Sequence, residues 1–305
     1  MKQQKSFSYA KYGYLFSIPF VVVFCIFNLY PTIYTAILGF TDCKGLGNTD
    51  WNFLVDEPFK NFAQILKNPS FITSLKNTFK IWIMNFIPQL SLALLLTAWF
   101  TSRRNELKGQ GFFKVVFYMP NIITAASIAI LFNALFGYPM GPINDLLVST
   151  GLIDSPFAFT DNKFATQCIV AFIQFWQWYG YTMIILISGV LGINPEIYEA
   201  AELDGANDIQ MFFRVTIPNL RTILLYTLIT SLIGGLTMYD IPRLYNDGKP
   251  ANATLTAAMF IHNQAFKGSY MYNRASAASM LIFIMVAVCS AVVFFLMRDK
   301  NEARR

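Results

Sequence analysis

Apolar residues run along this chain in long blocks separated by polar segments. Six blocks, at 13–39, 78–100, 113–137, 166–191, 217–239 and 277–297, are long enough to cross a bilayer as helices, since about 20 residues span the hydrocarbon. Their middles contain no Asp, Glu, Lys or Arg; Lys80, Arg221 and Asp240 stand near block ends. The pattern predicts an all-α integral membrane fold with six transmembrane helices. The first block follows Lys2, Lys5 and Lys11 but is too long for a signal peptide. It continues through Asn28, Tyr30 and Pro31 with no small-x-small cleavage site, so it reads as a retained helix. No internal repeat, low-complexity tract or soluble domain interrupts the series, and residues 1–305 read as one transmembrane domain.

Basic residues orient the helices, because cytoplasmic segments carry the excess of Lys and Arg. With an inside amino terminus, Lys2, Lys5, Lys11, Arg103, Arg104, Lys108, Lys114, Arg214, Arg221, Arg298, Lys300, Arg304 and Arg305 all fall on the inner side. The outer loops, 41–77, 138–165 and 240–276, are longer and less densely basic. Both termini are therefore expected in the cytoplasm. The first outer loop holds Trp51, Phe53, Phe59, Phe62, Ile65 and Leu66, with a short helix expected over Asn61–Lys67. That helix either packs on the bilayer face or helps to seat an extracytoplasmic partner.

One polar segment breaks the rule of basic inner loops. Residues 195–218 carry Glu196, Glu199, Glu202, Asp204 and Asp208 against the single base Arg214. Such charges cannot rest in hydrocarbon, yet the pattern is helical. Asn194 is a good N-cap and Pro195 suits the first helical position. Gly205 ends the first helix, and Asn207 or Asp208 can cap a second over about 208–216. The spacing predicts a cytoplasmic helix–turn–helix with a Gly corner. Its second arm shows Met211, Phe212, Phe213 and Val215, which must either lie on the bilayer surface or dock into another protein.

The block before this loop carries a second signal. Gln174, Gln177, Trp178 and Tyr181 fall at i, i+3, i+4 and i+7, so they share one helix face. Lipid does not tolerate unpaired amides, so the face is expected to point inward. Amides can bind hydroxyls and aromatic rings can cover the C–H faces of a sugar. The same amides can instead glue helices together. Asn121, Asn133 and a kink at Pro120 are further polar features of the third block.

Composition agrees with a membrane protein and excludes several functions. The 305 residues are 55% hydrophobic and 13% charged, against about 25% charged in soluble domains. The net charge of +6 lies at the ends of apolar blocks, which fits membrane topology and argues against nucleic acid. Cys25, Cys43, Cys168 and Cys289 have no metal-site or disulfide spacing, so no metal site is expected. No phosphate-binding G-x4-G-K-[ST] loop, H-E-x-x-H or G-x-S-x-G is present, so neither ATP hydrolysis nor a hydrolase site is visible. The lack of a mid-depth ionisable group argues against an ion-coupled secondary transporter.

The spelling of the polar loop adds a resemblance. Glu199-Ala200-Ala201, Gly205, nine residues, then Val215-Thr216-Ile217-Pro218 resembles the EAA loop of importer-type permeases of ATP-binding-cassette systems, E-A-A-x3-G-x9-I-x-L-P. Val215 and Ile217 are conservative departures. With WQWYGY at 176–181 before it and a long outer loop after it, the chain is similar to the F-type subunit of maltose- and glycerol-phosphate-like importers. The likeness covers about 10–297 and is strongest over 170–250.

The resemblance implies a membrane permease of a carbohydrate importer, with a polar solute such as glycerol phosphate as the alternative cargo. It implies ATPase coupling through Glu199, Ala200, Ala201, Gly205, Phe212, Phe213 and Pro218. It implies substrate contacts at Gln174, Gln177, Trp178 and Tyr181 before the loop, and at Ser231, Gly234, Gly235 and Met238 after it. In the second set, glycines stand where the maltose pattern has an aromatic and an amide. Either the cavity is wider here or the contacts have moved, and Ser231 and Gly235 also suit close helix packing. The implied partners are a second permease, an ATP-binding-cassette ATPase dimer holding ATP and Mg, and an extracytoplasmic sugar-binding protein, with no cofactor on this chain. The implied location is the cytoplasmic membrane of a bacterium or archaeon.

Overall fold

A chain in hydrocarbon must satisfy its backbone amides and carbonyls internally, and the apolar blocks do so as helices. The computed structural model describes residues 10–48, 50–102, 108–268 and 270–298. Among them there is no β-strand, and one isolated bridge joins Thr41 to Phe53. In chain order the helices are α1 (Tyr12–Leu38), α2 (Lys60–Leu66), α3 (Pro69–Phe100), α4 (Gln110–Ile122), α5 (Ala125–Leu135), α6 (Pro142–Ser149), α7 (Lys163–Leu191) and α8 (Pro195–Leu203). After the polar loop come α9 (Arg221–Leu236), α10 (Asp240–Asn246), α11 (Ala257–Phe266) and α12 (Tyr272–Met297). By length and composition α1, α3, α7, the stretch Arg221–Asn246 and α12 can each cross a membrane, with α4–α5 a sixth span if that pair counts as one. Lys2, Lys5, Arg103, Arg104, Lys300, Arg304 and Arg305, used above to orient the chain, lie outside the described residues.

The third apolar block departs from expectation. It is not one helix over 113–137 but two, bent by 90°. The break falls at Ile123, which is extended at φ −72° and ψ 134°, three residues after Pro120. Thr124 then starts α5 as its N-cap, its hydroxyl oxygen accepting from Ser127 N at 3.3 Å. A capping hydroxyl offers the backbone an alternative to continued helix, and the chain takes it. The fifth block is also interrupted, at Thr237–Tyr239, before α10 begins.

The chain divides into two compact units. The first comprises residues 1–66 and 261–281. Its α1 exposes Phe16, Phe20 and Phe27, as a lipid-facing helix would. The loop after α1 is pinned by Asn61, whose buried amide donates to Gly39 O at 2.9 Å and Thr41 O at 2.8 Å. Its Oδ1 accepts from Asn273 Nδ2 at 3.2 Å, and Asn273 N donates to Cys43 O. The short helix expected over Asn61–Lys67 is α2, with Asn61 and Ile65 turned inward.

The second unit comprises residues 67–260 and 282–305 and holds the polar loop. Here α3 packs along α7, with Ile81, Ile128, Ile173 and Ile241 in one buried cluster and Met183, Leu186 and Phe100 in another. Amides on α3 are satisfied across helices, as burial requires. Gln89 Nε2 donates to Thr182 Oγ1 at 2.8 Å. Asn77 Nδ2 donates to Asn252 O at 2.6 Å and Leu255 O at 3.2 Å. Gln167 Nε2 donates to Ala253 O at 2.7 Å, and its Oε1 accepts from Lys80 Nζ at 2.6 Å. These bonds tie the connection after α10 to α3 and α7.

Candidate functional site: a coupling corner and a polar helix face

The polar loop is a helical corner built by its caps. Asn194 Oδ1 accepts from Glu196 N at 3.1 Å, and Pro195 occupies the first turn of α8. Gly205 follows at φ +79°, a left-handed conformation that glycine adopts without steric cost. A Cβ at Gly205 would meet nothing within 4 Å, so backbone conformation, not crowding, selects glycine there. Asn207 then closes a capping box: its Oδ1 accepts from Gln210 N at 2.8 Å, and Gln210 Oε1 accepts from Asn207 N at 3.0 Å. The second arm runs 208–219, longer than expected, through a π-helical turn at Met211–Thr216 and past Pro218. Such turns often mark functional sites.

The corner is anchored on one side and bare on the other. Val190, Tyr198, Met211 and Leu220 form its buried cluster. Leu203, Ile209 and Phe213 are 90%, 71% and 62% exposed, large apolar groups at the tip of an otherwise acidic element. Glu199, Ala200 and Pro218 are also exposed, and Ala201 is half-buried. The two phenyl groups divide: Phe213 projects, while Phe212 is half-buried with its ring edge-on to Phe213 at 5.4 Å. Both line a cavity of about 1320 Å³ between this corner and the end of α3, together with Trp99, Phe100, Tyr198 and Glu202.

On α7 the four stripe residues emerge on a partly open face. Trp178 is 42% exposed, and Gln174, Gln177 and Tyr181 are half-buried. Trp178 and Tyr181 meet edge to face at 5.7 Å. The Tyr181 side chain lies beside Tyr226 of α9, a neighbour that sequence spacing did not suggest. Gln177 Nε2 donates to Ile123 O at the α4–α5 break, 3.3 Å away, and its own carbonyl accepts from Asn121 Nδ2. Asn121 and Asn133 thus act as helix ties, since Asn133 Nδ2 donates to Tyr245 O at 2.8 Å.

On α9 the second set separates. Gly234 faces open space, with nothing within 4 Å of an added Cβ. At Gly235 an added Cβ would lie 2.0 Å from Trp82 Cδ1, so that glycine admits an aromatic ring from α3. Ser231 Oγ accepts from Trp82 Nε1 at 3.2 Å. Met238 lies in the core beside Ile81 and Ile241, away from any open wall. Trp82 is the residue that sequence reading missed; the only signal for it was the pair of small residues, Ser231 and Gly235, spaced to admit a close neighbour.

The lactose transport system permease protein LacF of Rhizobium radiobacter is 29% identical over 293 residues, covering 95% of each chain. The arabinooligosaccharides transport system permease protein AraP of Bacillus subtilis (strain 168) is 29% identical over 276 residues, 90% of this chain and 85% of that one. The crystal structure of a bacterial ABC transporter involved in the import of the acidic polysaccharide alginate contains a chain of the same fold, with TM-score 0.76 and 21% identity, matching 93% of this chain and 94% of that one. Residues 72–299 match the family described as binding-protein-dependent transport system inner membrane component. That stretch holds the coupling corner, both helices flanking it and the bent pair, and the chain belongs to that family as a membrane permease subunit rather than an enzyme.

Proposed function

We propose that this chain lines half of the translocation path of an ATP-driven carbohydrate importer. The observation that carries the coupling part is the corner at 195–219: rigidly capped, anchored by a buried cluster, and tipped by exposed Leu203, Ile209 and Phe213. An acidic helical corner with an apolar tip suits insertion into a cleft of a cytoplasmic ATPase. The cargo class is supported by the named sugar systems among the relatives and by the amide–aromatic face on α7.

The assembly would comprise a second, similar permease, an ATPase dimer that binds ATP and Mg, and an extracytoplasmic binding protein. The alginate importer offers a parallel, because it was solved with a pentasaccharide-bound periplasmic protein. Six spans with both termini in the cytoplasm of a bacterium or archaeon complete the reading. ATP would close the ATPase dimer, draw the corner with it and rock the two permeases about their shared path. This chain itself needs no cofactor in that scheme.

The test is uptake in proteoliposomes holding the complete complex, with lactose, raffinose, an arabinooligosaccharide and glycerol 3-phosphate offered separately. ATP inside the lumen facing the ATPase should drive uptake of a sugar, and an imposed proton or sodium gradient should not. Uptake of glycerol 3-phosphate alone would replace the carbohydrate reading, and gradient-driven uptake without ATP would reject the mechanism.

A further inference from the structure

Trp82 stands in a binding relationship that the proposed path does not explain. It belongs to α3, not to the helices flanking the corner. Its indole stacks on Phe86, with centroids 5.5 Å apart and planes 16° apart. Its five-membered ring fills the space at Gly235, and its Nε1–H points at Ser231 Oγ, 3.2 Å away. One position along, Gly234 is open. The α9 wall is therefore a half-filled notch: an indole edge on one side, bare backbone on the other, and a serine hydroxyl one helical turn below.

The direction of the hydrogen bond fixes what that hydroxyl can do. An indole N–H only donates, so Ser231 is the acceptor. Its own proton is then unspent. A serine in a helix often donates to the carbonyl four residues back, and the adjacent Thr230 does so, Oγ1 to Tyr226 O at 2.8 Å. Among the described residues, Ser231 makes no such bond; Trp82 is its one hydrogen-bonding partner. The side chain is half-buried, so it is neither lost in the core nor loose in lipid.

We propose that Trp82 is a positioning residue for solute recognition. By occupying one lone pair of Ser231, it turns that hydroxyl into a dedicated donor beside the open surface at Gly234. The matching ligand chemistry is an acceptor oxygen of a polyhydroxylated solute, a hydroxyl or ring oxygen of a sugar. This rests on the carbohydrate reading above and adds a third helix, α3, to the recognition wall. A tryptophan here also explains why position 235 carries no side chain: any Cβ would strike the ring that orders Ser231.

The test uses the complete complex in proteoliposomes, with tritiated lactose and raffinose as probes. Trp82→Phe keeps a ring but removes the N–H; Ser231→Ala removes the hydroxyl. Uptake of the carried sugar should fall about three- to tenfold in each, and the double variant should be no worse than the poorer single. Binding-protein-stimulated ATP hydrolysis and the melting temperature should stay near wild type. Wild-type uptake in Trp82→Phe overturns the proposal, and so does a loss of uptake that merely follows a loss of thermal stability. A probe-independent arm uses Ser231→Cys with a charged methanethiosulfonate reagent. Labelling that protects against or is blocked by sugar supports the notch as part of the path. Absence of labelling overturns the proposal whatever the cargo. If neither sugar is carried and the cysteine still labels, the carbohydrate reading falls while the water-facing placement of Ser231 stands.

Discussion

The hydroxyls of Tyr198 and Thr216 lie 3.1 Å apart, and they join the two arms of the coupling corner. Thr216 also donates to Met211 O at 3.3 Å across the π-helical turn. With the threonine proton spent there, Tyr198 is the donor and Thr216 the acceptor between the arms. Both residues are buried, at 7% and 4% exposure. A bond in such a place is worth about 0.5–1.5 kcal/mol, and an orphaned partner costs about 1–3 kcal/mol. Tyr198→Phe should therefore loosen the corner without unfolding the protein. The expected outcome is normal insertion, reduced co-purification with the ATPase, and sugar uptake that falls more than ATP hydrolysis does. Equal uptake by Tyr198→Phe and wild type would show that the bond does not stiffen the corner.

Gly205 sets the angle of the same corner. At φ +79° with open space around it, a substitution meets strain, not collision. Holding most side chains in such a conformation costs of order 1–3 kcal/mol, and Asn, which tolerates it best, should cost least. Gly205→Asn should keep most transport. Gly205→Asp adds charge beside the exposed apolar tip and should abolish transport while the protein still inserts. The comparison of the two variants in uptake and ATPase co-purification separates charge from strain, and undiminished transport by Gly205→Asp rejects the coupling role.

The amide network of Asn77, Lys80 and Gln167 should be a stability element. Gln167→Leu strands the Asn77 and Ala253 groups that it now satisfies, at about 1–3 kcal/mol for each buried group left unpaired. The expected result is a lower melting temperature in detergent. Gln177→Leu should melt closer to wild type, because its amide makes one long bond at a partly open face. A Gln167→Leu protein as stable as wild type would mean that water replaces the lost amide.

Topology can be read by cysteine accessibility in a background lacking Cys25, Cys43, Cys168 and Cys289. Replacements at Asp161 and Asn252, both exposed and on connections expected to lie outside, should label from outside. Replacements at Glu106 and Asn301, which lie outside the described residues, should label only after permeabilisation. The native Cys43 thiol is buried, and burial and then the neighbouring Asp42 push its pKa up, so the unreactive thiol persists to higher pH. External labelling at Glu106 would overturn the arrangement with both ends inside.

Much of this was legible before the fold was known, and the failures have physical causes. The Asn194 cap and the positive φ at Gly205 followed from capping and backbone preference, which are local. Of Met211, Phe212, Phe213 and Val215, however, only Phe213 is exposed, because Met211 packs into the corner's own buried cluster and Leu203 and Ile209 form the rest of the tip. The break at Ile123 did not, because Pro120 gave a kink signal one turn early while Thr124 supplied the actual interruption as an N-cap. Met238 was assigned to the path by its spacing from Pro218, but α9 ends at Leu236 and the turn that follows delivers Met238 to the core. Trp82 was invisible because a tryptophan inside an apolar block carries no periodic signal. Its role arises only from a glycine on another helix.

Trp178 and Gln177 remain the pair expected to carry recognition on α7, and the structure changes how to test them. The two tryptophans on this helix point opposite ways, as two positions, about 200° of helical turn, require. Trp178 is 42% exposed beside Tyr181. Trp176 packs against the core and lies 5.9 Å from the Phe132 ring. Trp176→Ala is thus a cavity mutation worth about 3–5 kcal/mol, and loss of transport there would report folding. Trp176→Phe, which keeps an aromatic ring in the core, is the proper control. Trp178→Ala should cut uptake tenfold or more, because a stacked ring contributes more than a single neutral hydrogen bond and each ~1.4 kcal/mol is a factor of ten. Its ATP hydrolysis and melting temperature should hold, since the ring contributes little to the core. Gln177→Ala should do less, because its amide already gives one of its two donors to Ile123 O and leaves the solute one N–H and the oxygen. If Trp178→Ala and Trp176→Phe carry the same sugar equally well, the α7 face packs against a neighbouring helix and recognition lies with the notch on α9.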